Sequence, residues 1–197
     1  NSGPATTVRM GFPDYGLGAN DPYEERQTDW NKTKPVSVYN TFKSWVDGRP
    51  TPTTLVRSKV ENQAWQSKMV QFGKGQTRRV RDVYTMPLGG GVFDSSGYAT
   101  FAAYVLHTGA SWHGNIGSTE VYVTFDPKVI AGPVKPLFFP NLMSSMGRSV
   151  SPPASKNEVI CQGPCAPVAK GQTLIFYRKN WRPTQEDDIF MAFNYNK

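Results

Sequence analysis

Two histidines, His107 and His113, are the whole imidazole supply of this 197-residue chain. Any histidine-based acid–base chemistry must use one of them. Both lie in YVLHTGASWHGNIG, where Ser111 offers a hydroxyl. GASWHG is not the G-x-S-x-G turn that lifts a nucleophilic serine off a strand end, and nothing in the sequence places an acid beside either histidine to complete a triad. His107 stands at a strand end, the position of a structural histidine; His113 is expected to be exposed in the loop. Carboxylates gather at Glu186, Asp187 and Asp188. They could serve acid–base work or calcium, but no second carboxylate cluster completes a site. Thr184 with Asp187 three residues on is instead a capping-box pattern, which reads as acidic groups opening a short helical turn over Pro183 to Asp188.

The two cysteines, Cys161 and Cys165, sit in CQGPC. Two thiolates are too few for a zinc site, and the spacing is not that of a CxxC redox pair. The alternatives are a short-range disulfide closing the Gly-Pro loop, suited to a compartment outside the cytosol, and two free thiols. The disulfide is the expectation. GKGQT lacks the residues of a phosphate-binding GxxxxGK[ST] loop. The chain therefore reads as non-enzymatic, with no cofactor and no metal.

The stretch Tyr98 to Phe125 organises the elements that carry these residues. Tyr98 to Leu106 is nearly all apolar or aromatic, the pattern of a strand covered on both faces. Glu120 to Phe125 alternates, with Val121, Val123 and Phe125 on one face and Glu120, Tyr122 and Thr124 on the other. The loop between them is rich in glycine, and Trp112 is expected to be its packed anchor. Earlier strands are Val36 to Val46, a return over Thr53 to Val60 after the Asp47-Gly48 turn signal, and Ala64 to Phe72 paired with Gln76 to Met86 across GKG. Later ones are Thr173 to Tyr177, with Leu174 and Phe176 on one face, and Ile189 to Tyr195, with Ile189, Met191 and Phe193 together. Eighteen glycines and sixteen prolines, with no sustained 3.6-residue period, point to an all-β protein. The expected fold is an antiparallel β-sandwich with an irregular N-terminal arm (1–34) and a single domain (35–197) holding a Pro-rich insertion (126–172).

The formal charge is +7. Its densest cluster is Arg78, Arg79 and Arg81 with Lys74, read as a solvated edge strand kept from aggregating by its charges. No nucleic-acid-binding signature accompanies it, so no specific nucleic-acid partner is expected. No apolar run approaches the roughly 20 residues of a membrane span. A start at Asn1 without methionine reads as a trimmed or processed chain.

The arm carries Phe12, Tyr15, Tyr23 and Trp30, and the insertion carries LFFPNLMSSM with Phe138 and Phe139. These are the candidate assembly contacts, since such side chains need cover and the arm shows no strand pattern of its own.

YVLHTGASWHGNIGSTEVYV and RKNWRPTQEDDIFMAF together resemble the paired signatures of an uncharacterised family of exported bacterial domains, with "Y-x-L-x-TGA-x-W-x-G-x-IG" followed by "PTEDD-I" near the C-terminus. His113 stands where lysine is more usual, and Gln185 interrupts the acidic run. The resemblance implies a secreted or envelope β-sandwich protein with no assigned activity. The resulting expectation is a non-enzymatic structural or assembly protein outside the cytoplasm, self-associating or docking on envelope proteins by its arm and apolar loop. The alternative is a module that binds glycans or another anionic polymer.

Overall fold

The computed structural model describes residues 3–14, 37–57, 64–92, 98–140, 142 and 153–194. The protein is all-β: fourteen strands and two short 3-10 turns carry the described fold. The chain divides into two compact units, Asn1–Pro87 and Leu88–Lys197. The expected boundaries, an arm over 1–34 and one domain over 35–197, are not the ones this division draws.

The first unit contains two three-stranded sheets. One has the order β1 (Thr6–Asp14), β5 (Ala64–Phe72), β4 (Thr54–Arg57); the other has β3 (Arg49–Pro50), β2 (Thr41–Val46), β6 (Val80–Thr85). All pairings within them are antiparallel. The Asp47-Gly48 turn between β2 and β3 has φ of 50° and 79° at its two residues, the left-handed pair that matches strand twist in a two-residue hairpin. The Arg79 amide, then the Arg78 guanidinium, holds the Asp47 carboxyl below its usual range. That support is present above the ordinary aspartate pKa and is lost as acid carries the pH down through the lowered value.

Two expectations are corrected here. Residues 6–14 are not irregular: Val8, Met10 and Phe12 face β5 partners Val70, Lys68 and Gln66 over a nine-residue ladder. Gly11 and Pro13 disguise the alternation. Gly11 sits close against its neighbour: a Cβ there would stand 3.1 Å from the Trp65 ring, which would have to give by a few tenths of an ångström. Phe12 is therefore no free assembly contact; its ring packs on Tyr39, Phe42 and Tyr84 of the same unit. Tyr15, Tyr23 and Trp30 lie outside the described residues. Second, β6 does not return along β5. Both edges of β5 are already taken by β1 and β4, so the turn at Gly73 to Gln76 sends the chain to the other sheet, where β6 pairs with β2.

A buried cation joins these two sheets. Lys68 on β5 is 5 % exposed, and its Nζ donates to Ser44 Oγ at 2.8 Å and Asp82 Oδ1 at 2.6 Å on the opposing sheet. Nearby, Asp14 closes the end of β1 by accepting from Ser37 Oγ, the Val38 amide and Gln66 Nε2, each at 2.7 Å.

The second unit also has two sheets. One, five-stranded, has the order β10 (Lys135–Phe138), β11 (Glu158–Gln162), β14 (Ile189–Phe193), β8 (Tyr98–Tyr104), β7 (Gly89–Val92). The other, three-stranded, has β12 (Val168–Lys170), β13 (Thr173–Trp181), β9 (Ile116–Thr124). Between the two sheets lies the main core: Val159, Cys161, Ile189, Met191 and Phe193 against Phe125, Leu174 and Phe176, with Val121 and Val123 beside them. The opposite face of the five-stranded sheet is buried too, where Ile160, Phe190, Ala192 and Ala99 pack with Leu142. The apolar run of β8 thus has the expected two covered faces, and β9 and β13 point the residues expected inward into the core.

The stretch 126–172 is not a structureless insertion. It supplies β10, β11 and β12, and β11 is an interior strand of the larger sheet. Its described prolines lie in turns and loops except Pro136, which falls on edge strand β10, where a missing N–H can be tolerated. Phe138 packs against the main core and is no free assembly contact, while Phe139 remains exposed.

Breaking the buried bridge should be expensive: Lys68→Ala leaves Asp82 unpaired and is expected to cost about 3–5 kcal/mol in urea unfolding. Lys68→Met combined with Asp82→Leu should cost far less, because it removes both charges together.

Candidate functional site

The glycine-rich loop after β8 and the acidic segment before β14 meet in the second unit, and their meeting is set by strand register. β14 pairs with β8 so that Ile189 opposes Tyr104. Asp188, one residue before β14, therefore stands beside Leu106 and His107, just past the end of β8. Its carboxylate accepts three hydrogen bonds, from the Leu106 amide at 2.6 Å, the His107 amide at 2.8 Å, and His107 Nδ1 at 2.6 Å. His107 opens a 3-10 turn, His107–Ser111. Asp188 follows a second one, Gln185–Asp187.

The second turn has the expected capping box, with Asp187 Oδ2 accepting from the Thr184 amide at 2.7 Å and its hydroxyl at 2.9 Å. The other Asp187 oxygen accepts from Arg178 Nη1 at 2.9 Å. Arg178 also donates to the Pro164 carbonyl, and its guanidinium lies 5.0 Å over the Trp181 ring. Gln162, fully buried, donates to the carbonyls of Glu186 and Asp188. Arg182 reaches the Ala110 carbonyl of the first turn at 2.8 Å. Gly109 in that turn lies close against its neighbours: a Cβ would stand 2.8 Å from Ile116 Cδ1 and 3.3 Å from Pro183 Cγ, so the end of the Ile116 side chain would have to shift. The arrangement is a clasp in which the acidic segment satisfies the backbone of the glycine-rich loop.

The acid beside His107, which no sequence spacing indicated, is Asp188, 81 residues away. An imidazole held at Nδ1 by a carboxylate is how a general base is oriented. The hydroxyl raised as its partner is engaged elsewhere, since Ser111 Oγ donates to the Thr108 carbonyl at 2.8 Å. His113 is exposed in the loop. Among the described residues no group of three or more His, Cys, Asp or Glu is placed to hold a metal ion.

Trp112 is not the packed anchor. It is 47 % exposed, because the chain leaves the first turn in an extended conformation at that residue. The packed tryptophan of the region is Trp181, 5 % exposed, whose Nε1 donates to Thr119 Oγ1 at 3.1 Å. Its place opposite Ile116 at the end of the β13–β9 ladder marks it, a pairing the sequence alone does not display.

The expected disulfide is corrected as well, since both thiols are free. Cys161 points into the main core from β11, while Cys165 Sγ contacts the Tyr177 carbonyl at 3.4 Å. Burial pushes the Cys161 thiol up to about 12. Burial also raises Cys165, partly offset by the Arg178 charge.

No protein-family model, curated protein or solved structure matches the chain.

If Asp188 acts as a clasp, Asp188→Ala should cost about 3 kcal/mol by leaving two amides and an imidazole without their acceptor. Thermal melting of Asp188→Ala and His107→Ala should show both destabilised, the first more strongly. Cys161 should resist alkylation in the native protein at about pH 8 and react only after unfolding. Its contribution to stability should be full below the ordinary thiol pKa and decline as the pH climbs from there toward about 12.

Proposed function

We propose that the protein is a non-catalytic structural protein of the cell exterior that docks on copies of itself or on envelope proteins. The observation that carries this reading is the outer face of the β12–β13–β9 sheet. The register sets Val168, Ile175 and Tyr122 in one row across the three strands. Tyr177 stands two residues along β13 from Ile175. Val168 is 60 % exposed, Tyr122 61 % and Tyr177 43 %. A contiguous apolar patch of this kind favours an interaction surface over a bare monomer face. β13 occupies the middle of the sheet, so among the described residues β9 and β12 each keep one edge without a strand partner. Such an edge can accept an added strand, and repetition of that contact closes a ring or extends a filament. The setting outside the cytoplasm is supported by the resemblance of the two signature segments. The docking surface differs from the arm and apolar loop first expected, because residues 6–14 and Phe138 are used within their own units.

A second reading, attachment to an anionic polymer, is favoured by a basic sheet face in the first unit whose cations have no carboxylate partner among the described residues.

Sedimentation velocity over a range of concentrations tests the first reading. The wild type should form a defined oligomer, and Tyr122→Ser with Val168→Ser should shift it toward monomer without lowering the melting temperature. A wild type that stays monomeric at every concentration, with no envelope protein retained, would rule the docking role out.

A further inference from the structure

We infer that the outer face of the β3–β2–β6 sheet binds an anionic polysaccharide, one bearing carboxylate or sulfate groups along its chain. This rests on the second reading above and gives it a ligand class and a site.

Strand alternation turns Thr41, Lys43 and Trp45 of β2 and Arg81, Val83 and Thr85 of β6 to that face, opposite to buried Ser44. Arg79 continues the alternation past the end of β6, where its carbonyl accepts from the Asp47 amide at 2.8 Å. Lys43, Arg79 and Arg81 are exposed, and among the described residues none of them is paired with a carboxylate. The two carboxylates of the neighbouring chain are already committed. Asp82 binds Lys68 between the sheets, and Asp47 binds Arg78 Nη1 and the Arg79 amide. The unit Asn1–Pro87 holds 13 Lys/Arg and eight Asp/Glu, so it carries +5 of the formal charge of +7. Among the described residues the face therefore offers cations without an internal counter-charge, the condition for attracting a polyanion.

The spacing is regular. Lys43 opposes Val83 and Trp45 opposes Arg81, so Lys43 and Arg81 are diagonal neighbours. Arg79 stands two residues from Arg81 on the same side. The three stems thus rise about 7 Å apart from a sheet braced from behind by the Lys68 bridge and the aromatic cluster. Arg81 lies 5.4 Å over the Trp45 ring, which steadies the guanidinium. The hydroxyls of Thr41 and Thr85, bonded to each other at 2.7 Å, border the cations with groups suited to sugar hydroxyls.

The same geometry disfavours a nucleic acid. Single-strand binding relies on free aromatic faces for the bases, and Trp45 has Arg81 over its ring. Reading a duplex relies on an element that enters a groove, and this face is a flat sheet. What it can recognise is repeated charge.

The test uses the full chain at about 150 mM salt, where exposed charges are screened beyond about 8 Å. Binding is measured to heparin, polygalacturonate, neutral dextran and a short DNA duplex. The wild type should bind heparin and polygalacturonate but not dextran. Lys43→Gln, Arg79→Gln and Arg81→Gln together should weaken this at least about tenfold. Lys128→Gln, Lys135→Gln and Lys156→Gln, which remove the same charge from exposed sites in the other unit, should change it no more than about twofold. Arg79→Lys with Arg81→Lys keeps the charge and should bind like the wild type, which separates lost binding from lost folding. Absence of wild-type binding to either polyanion overturns the anionic-polymer reading and the inference with it. Equal losses from the two triple variants leave that reading but overturn the site. Tighter binding to the DNA duplex overturns the ligand class.

Discussion

The second unit depends on one constraint: the middle strands of its larger sheet have no solvent face. β11, β14 and β8 are apolar on both sides, so two separate layers must cover them. The β12–β13–β9 sheet supplies one, through Leu174, Phe176 and Phe125. Leu142 contributes to the other. Because β11 sits inside the sheet, the long proline-bearing stretch must leave the β9 end, deliver an interior strand and return to the second sheet as β12. Close packing also explains the glycine in CQGPC. A Cβ at Gly163 would stand 2.7 Å from the buried Phe176 ring, so that turn leaves no space for a larger residue.

Register in that sheet then does chemical work at its rim. Pairing Ile189 with Tyr104 leaves Asp188 facing two backbone amides and an imidazole beyond the strand end. Loop amides near a sheet end need acceptors, and one carboxylate satisfies two of them while fixing the ring of His107. The acidic run is thus used from both sides: Asp187 caps its own turn and holds Arg178, while Asp188 holds the opposing loop. The glycine-rich loop and the acidic segment thus support each other.

The first unit solves its core differently. Its sheets are small, and its interior mixes an aromatic group of Phe12, Tyr39, Phe42 and Tyr84 with an ion pair. A buried lysine is tolerated only when its charge and donors are met, and Ser44 and Asp82 meet them from the facing sheet. Committing Asp82 inward has an outward consequence. It removes the acid that would otherwise offset Lys43 and Arg81, and the face behind it is left cationic.

Local pattern alone determined a good part of this protein. The all-β class, the Asp47-Gly48 turn, the full extent of β5, the inward residues of β9, β13 and β14, and the Thr184–Asp187 cap were all legible, because each depends on neighbours within a few residues. Pairing was not legible. Whether β6 returns on β5 or crosses to β2 depends on which edges are already occupied, and that is known only once β1 is placed. The strand at residues 6–14 was hidden by Gly11 and Pro13, and β11 by its brevity amid prolines. The meeting of His107 with Asp188, the exposure of Trp112 beside the burial of Trp181, and the free state of Cys161 are likewise decided by tertiary structure. Each turns on which distant segment lies opposite, and a period along the chain carries no record of that.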